Sequence, residues 1–403
     1  MRPIPMLRCV TLLLAMLLLS ACSRAAVASS ATATPLPTPT PFPIPTMPPM
    51  PTVAVIQSSG QPVWGNIAFW THTNLPAGFG QQFHVSDLQV AESDGKTAYA
   101  CAVPGDQTQS GHPRVVVTHN GGASWAYATD IPASWGSCAR LVVDMLDPSL
   151  VIAQEDFLGP QEITFNGGRA WQALLLPPQE EISQFATHGD HAYALILIPQ
   201  NGGSSSSEIL AESSDRLHTW QEIDANLAAM NLRNFWINPG SGALLLQTYA
   251  NGLWTSTNDG ATWEQMNIPA SNIVGYMVQQ PIANQPWRLC AEYYASQDAS
   301  TGSLICTADG GKAWYMPPAA PFWQMAGITS DGALLVYDRS FMVYRLPAGA
   351  TRWQKLGAAP HTGGSILYMP ASAGGMLWMF AMESDGAGAP PDPRAIYSAR
   401  YPY

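Results

Sequence analysis

The chain of 403 residues predicts an all-β fold, a seven-bladed β-propeller of four-stranded antiparallel blades in which an N-terminal strand closes the last blade. Two repeat series and the composition carry this expectation. Five segments recur at a period of about 46 residues: THNGGASW ending at Trp125, TFNGGRAW at Trp171, SSDRLHTW at Trp220, STNDGATW at Trp263 and TADGGKAW at Trp314. A period of that size marks a stacked or radial repeat architecture. Between them run seven short hairpins, SDGKTAYAC, MLDPSLVIA, HGDHAYALI, NPGSGALLL, ANQPWRLCA, SDGALLVY and SAGGMLWMF, each a turn followed by an apolar run suited to a buried strand. With 34 Gly, 35 Pro and only 11% charged residues, the chain is turn-rich.

Three segments follow in order. Arg2 and Arg8 precede an apolar run from Val10 to Ala21, too short to span a bilayer and suited to a signal-peptide core. Residues 1–21 are therefore expected to be a signal peptide. Leu19-Ser20-Ala21-Cys22 resembles a bacterial lipoprotein lipobox, which implies lipidation of Cys22 as the first mature residue. Residues 22–61 are Ala, Ser, Thr and Pro with almost no charge, including TPLPTPTPFPIPTMPPMPT. So many prolines remove backbone donors and favour an extended tether. Residues 62–403 hold the repeats. The expected address is extracytoplasmic and membrane-anchored, with the lipid as the membrane contact. A formal charge of −11 offers no basic surface for phosphate backbones and excludes nucleic acid as a partner.

Within the propeller, the seven hairpins join strands A and B of each blade and the Trp segments join C and D. The chain ends in a seventh strand C, Ile396 to Tyr401, which lacks a strand D of its own. FWTHTNLP, with Trp70 and Pro76, has the form of the segments that follow the other Trp residues, and is expected to supply it. Cys101, Cys138, Cys290 and Cys306 permit two disulfides in an exported domain, and spacing alone does not fix their pairing. Cys290 and Cys306 flank a loop centred near Asp298, so they are expected to face each other across a hairpin, which leaves Cys101 with Cys138.

The Trp segments share Ser or Thr seven residues before the Trp (Thr118, Thr164, Ser213, Ser256, Thr307) and Asp or Asn five before (Asn120, Asn166, Asp215, Asn258, Asp309). Four have Gly three before (Gly122, Gly168, Gly260, Gly311), and LPAGATRW at Trp353 is a weaker copy. They resemble the Asp-box, or BNR repeat, of sialidases, sortilin-type receptors, photosystem-assembly propellers and some glucanases. The resemblance implies a structural role for the boxes. The Asp or Asn side chain would close a tight turn, Gly would supply a positive φ and Trp would cap the hairpin.

Strand alternation puts the B to C loops and D to A crossovers on one face, where such propellers hold their sites. Phe79, Trp135, Phe157, Tyr249, Phe322, Trp323 and Arg339 are candidate contact residues there. A sialidase needs three Arg around a carboxylate, and Arg114, Arg140, Arg233, Arg288 and Arg339 are spread among blades; the only YRLP, at Tyr344, falls in the sixth blade. A glucanase needs two opposed carboxylates, and the loop acids expected on that face are Asp106, Asp156, Asp298, Asp338 and Asp385. His188 and His191 imitate a metal pair but belong to an A to B turn on the other face. No metal or cofactor is expected. The expectation is a non-enzymatic binding propeller for a protein or glycan partner, with a carbohydrate hydrolase of sialidase or glucanase type as the alternative.

Overall fold

The computed structural model describes residues 71–72, 76 and 83–400 except 105–111, 132–133, 178, 201–204, 224–226, 228–229, 251, 280, 295–301, 320–323, 339–341, 359–365, 369–375 and 382–395. The expected leader and tether, with Cys22, lie outside the described residues, as do Phe79, Phe322, Trp323 and Arg339.

The protein is a β-propeller of antiparallel blades. In chain order its strands are β1 (Thr71–His72); β2 (Phe83–Val90), β3 (Ala98–Pro104), β4 (Arg114–Thr118) and β5 (Ala126–Tyr127); β6 (Arg140–Val143), β7 (Val151–Gln154), β8 (Gln161–Thr164) and β9 (Gln172–Ala173); β10 (Glu181–His188), β11 (His191–Gln200), β12 (Ser205–Ser213) and β13 (Gln221–Glu222). Then come β14 (Leu232–Ile237), β15 (Leu244–Thr248), β16 (Leu253–Ser256) and β17 (Glu264–Gln265); β18 (Ile273–Val278), β19 (Leu289–Tyr293) and β20 (Ser303–Thr307); β21 (Gln324–Ile328), β22 (Leu334–Tyr337), β23 (Met342–Leu346) and β24 (Gln354–Ala358); and β25 (Ile366–Tyr368), β26 (Met376–Ala381) and β27 (Ile396–Arg400).

Among the described residues six sheets are complete four-stranded blades and β18–β20 is a three-stranded sheet. This corrects the expectation of seven four-stranded blades. The reason is chemical. In four blades the residue three after the repeated Trp donates its N–H back to strand C: Ala128 to the Val115 carbonyl, Leu174 to Gln161, Ile223 to Leu210 and Met266 to Leu253, at 2.8–3.0 Å. In β18–β20 that residue is Pro317, which has no N–H, and Pro318 follows. Only the single bridge between Cys306 and Tyr315 survives there.

The last blade has the order β1-β27-β26-β25, with Thr71 opposite Ser398 and His72 opposite Tyr397. Its strand B is pinned to the first blade through Trp378. That indole is fully buried, donates to the Gly95 carbonyl at 2.9 Å and meets the Trp125 ring edge-on at 6.2 Å.

The cores lie between neighbouring sheets. Tyr99, Val115 and Ile131 pack with Leu141 and Val151 across the first and second blades, and Ile152 and Ile163 pack with Phe185 and Ala194 across the next pair. The B strands are buried along their length, as VIAQ in β7 and LLLQT in β15 show. The disulfide Cys290–Cys306 crosses β19 and β20 at paired positions, and Cys101–Cys138 joins β3 to the crossover before β6.

The five repeated turns share one hydrogen-bond pattern. The Ser or Thr hydroxyl donates to the Asn or Asp Oδ1 at 2.8–3.0 Å. The same hydroxyl accepts a backbone N–H four residues on, and Oδ1 accepts another, as from Ser124 at 3.0 Å and Ala170 at 2.9 Å. Two consecutive residues have positive φ: Gly121 and Gly122 in the first, Gly310 and Gly311 in the last. In the third, Arg216 (59°) and Leu217 (71°) take these angles without glycine, and Leu217 fills the core instead. The glycine has a second reason in blade stacking. A Cβ on Gly260 would stand 2.4 Å from Ile223 Cγ2 of the preceding blade, and one on Gly168 would stand 2.7 Å from Ala128 Cβ. The indoles reach backward as well: Trp171 Nε1 donates to the Thr129 carbonyl and Trp353 Nε1 to Pro318.

Candidate functional site

Innermost strands have no sheet neighbour on their inward edge, so their backbone donors need other partners. Register shifts supply them. A bulge occurs in the A strand of six sheets, between Val85 and Asp87, Ile182 and Gln184, Leu232 and Asn234, Ile273 and Gly275, Met325 and Gly327, and Ile366 and Tyr368. Bulges re-aim side chains and recur beside functional sites. Two of these do a specific job. Asp87 Oδ2 accepts the Leu141 N–H of the next blade at 2.7 Å, and Gln184 Oε1 accepts the Phe235 N–H of its next blade at 2.9 Å. Burial raises the Asp87 carboxyl above its ordinary value, against the hydrogen bond from Leu141.

Where the inner strands begin, on the face of the B to C loops, a polar network forms. Arg140 opens β6 and pairs with Glu181, which opens β10, at 2.8 Å; its other terminal nitrogen donates to the Ser183 carbonyl at 3.1 Å. Glu181 is buried and also accepts the Leu158 N–H at 3.3 Å. The Ser183 hydroxyl donates to Glu208 at 3.0 Å, and burial raises the Glu208 carboxyl. A buried carboxylate held by a guanidinium and a backbone N–H is an organised wall.

Two exposed aromatic residues sit on B to C turns of this face. Phe157 is 64% exposed on the turn before β8. That turn is tied down at every step: Phe157 N–H donates to Asp156 Oδ1 at 2.7 Å, Gly159 N–H to the Asp156 carbonyl, and Gln154 Nε2 to the same carbonyl at 2.7 Å. Tyr249 is 62% exposed on the turn after β15, its N–H bound to the Asn231 carbonyl, with the Arg233 guanidinium 5.7 Å from its ring centre. Arg114 lies over Tyr127 at 5.2 Å and 3.7 Å from Asp130, an exposed pair worth little by itself.

Trp135 is a correction. It is only 4% exposed and packs with Cys138, Leu141 and Val151 between the first two blades, because the disulfide draws that crossover inward. It belongs to the core and is not a contact residue. Among the described Arg residues, Arg140 and Arg233 are on inner strands two blades apart, Arg114 begins a strand C, and Arg345 is paired with Asp331 at 2.5 Å. Arg288 precedes β19 at the opposite end of its blade, near Gly332. Of the loop acids, Asp156 and Asp338 are described; both are engaged locally, Asp338 by the Tyr344 hydroxyl at 3.0 Å. Asp106, Asp298 and Asp385 lie outside the described residues. His188 Nε2 donates to the Pro239 carbonyl at 3.2 Å, and His191 pairs with Glu212.

Sequence reasoning passed over five acids and one phenol. Glu181, Glu208 and Asp87 build the network, and Glu292 on β19 is buried, with its carboxyl raised by that burial. Burial and the Glu292 charge together push the Tyr337 hydroxyl up to about 12. A signal existed: an acid inside an apolar strand run, as in CAEYY or EEISQF. The fifth acid, Asp144, is in the turn after β6 at the opposite end. It is fully buried and accepts the Leu146 and Asp147 N–H groups at 2.7 and 2.9 Å, and burial pushes its carboxyl up to about 7 from 3.8.

The folded protein therefore holds a proton on Asp144 that the unfolded chain releases above its ordinary value. Stability from this group is present at low pH and is lost as pH rises from about 4 through about 7. Melting temperature should fall across that window, and Asp144→Asn should flatten the fall. An unchanged slope in the variant would contradict the assignment.

No family model matches the sequence, and no curated protein does. Among solved structures the chain is similar to one described as YCF48 bound to D1 peptide, with a TM-score of 0.52 and 13% identity over 84% of this chain and 98% of that one. It is similar to YCF48 from Cyanidioschyzon merolae (TM-score 0.54, 11% identity, 83% of this chain and 99% of that one). It is also similar to an oligogalacturonate lyase from Vibrio parahaemolyticus (TM-score 0.52, 12% identity, 81% and 92%). At such identities the likeness shows the propeller fold alone, and that fold carries both a peptide complex and a lyase.

Proposed function

We propose that the protein is a non-enzymatic binding propeller, tethered to an extracytoplasmic membrane surface through lipid on Cys22, that recognises a protein partner at the face of the B to C loops. The observation that carries this reading is two exposed aromatic rings, Phe157 and Tyr249, on hydrogen-bonded B to C turns, with the Arg233 guanidinium 5.7 Å from the Tyr249 ring centre. Rigid aromatic residues beside Arg are the usual anchors of protein interfaces, and a turn that is ordered beforehand loses little entropy on binding. The described carboxylates of the same region are engaged by Arg140, Ser183 and backbone N–H groups. The peptide seen on the structurally similar YCF48 fits a propeller used in this way. The five repeated turns, read as Asp-boxes, serve the scaffold.

A photo-crosslinking amino acid at position 157 or 249 should capture one and the same envelope protein in cells, and one at position 191 should not. Equal capture from position 191, or none from 157 and 249, would contradict the reading. The second reading, a glycoside hydrolase, starts from Glu292, a buried carboxylate on β19 whose charge acts on the Tyr337 hydroxyl of the next blade.

A further inference from the structure

We propose a separate binding site for a neutral sugar residue in the cleft between the β14–β17 blade and the β18–β20 sheet. The cleft encloses about 310 Å³, within the range of small-ligand sites. Gln265 of β17 and Asn267 just beyond it present amide side chains to the cleft, and Met266, Ile268 and Ile273 line it with apolar surface. Among the described residues no Asp, Glu, Lys, Arg or His lines it.

Gly252 keeps part of this space open. A Cβ there would stand 3.1 Å from Trp254 Nε1, 3.2 Å from Thr248 Oγ1 and 3.6 Å from Gln265 Nε2. A side chain at 252 would therefore press on Trp254 and Thr248 and displace them against the cleft wall. The Thr248 hydroxyl accepts the Gly252 N–H at 3.1 Å, and the Gln265 amide beside this turn is a donor that a ligand oxygen in the cleft would meet.

Ligand class follows from the inventory. Amides donate and accept, and so do sugar hydroxyls, whereas a carboxylate or ammonium brought into an uncharged cleft would lose its hydration without a counter-charge. The apolar wall suits the C–H face of a pyranose ring. The cleft adjoins the loop face, since Gly252 sits on the turn after β15, but its amide and apolar lining comes from the outermost strand of that blade and the crossover that follows it, so a sugar response and protein capture are read separately.

The test is titration of the full chain with cellobiose, maltose and diacetylchitobiose, read from the indole N–H resonance of Trp254 in a nitrogen-correlated spectrum and assigned with Trp254→Phe. At least one disaccharide should move that resonance saturably at millimolar concentrations. Gln265→Leu and Asn267→Leu, both at exposed positions, should each weaken the effect about tenfold, the loss of one or two hydrogen bonds, with the rest of the spectrum unchanged. Gly252→Ala should abolish it. A resonance unmoved by all three sugars would overturn the proposal. So would saturation only by glucuronate or by a blocked dipeptide, or a sugar response that Gln265→Leu leaves intact.

Discussion

A chain lacking residues 63–76 should run as oligomers or aggregate, whereas the full-length protein stays monomeric at the same concentration. The segment contains β1, whose two residues complete the last blade by pairing with β27. Without it the outer edge of Ile396–Arg400 stands open, and an unpaired edge invites pairing with another chain. The damage should stay local at first, because Trp378 still ties strand B of that blade to Gly95 and Trp125 of the first. Size-exclusion chromatography with light scattering reads the outcome. A monomeric truncated protein with an unchanged melting temperature would refute closure by this strand.

The second large effect concerns Cys101 and Cys138. The double variant Cys101→Ala with Cys138→Ala should lose about 3 to 4 kcal/mol, the loop-closure entropy of a cross-link of this span, across a sequence separation of 37. Both sulfurs are buried among Tyr99, Val115 and Leu141, so the alanines also leave space at the contact between two blades. The corresponding change at Cys290 and Cys306 should cost less. Their separation is 16, and their strands are already paired residue by residue as a hairpin. Urea unfolding monitored by tryptophan fluorescence measures both. Equal midpoints for the two double variants, or free thiols at all four positions in the parent, would contradict this ordering.

The fold was legible because its repeats are local. A Ser or Thr, an Asn or Asp and a Trp at fixed spacing specify a turn that needs only its own backbone, so reading Thr118, Asn120 and Trp125 from the sequence locates a hairpin before any packing is known. The strand count was less legible, because one proline decides it. Pro317 occupies the position whose N–H ties strand D to strand C in four other blades, and the period of the Trp residues gives no sign of that.

The site was harder still. Trp135 looked like a contact residue from its crossover, but burial depends on where Cys138 is drawn, a long-range fact. Phe157 and Tyr249 were legible as loop aromatics because a short B to C turn leaves a large ring few places to bury. Glu181 pairs with Arg140 from 41 residues away, and nothing in the local sequence of either residue names the other.

The central claim is that the loop face binds and does not catalyse. Its most direct test is turnover: the full chain incubated with a sialoside and with a soluble β-glucan across the neutral pH range, with released sugar measured. Release no faster than in the absence of protein is the expected result. Release that depends on the protein and disappears in Glu292→Gln or Tyr337→Phe, with the melting temperature preserved, would contradict the binding account and establish the hydrolase.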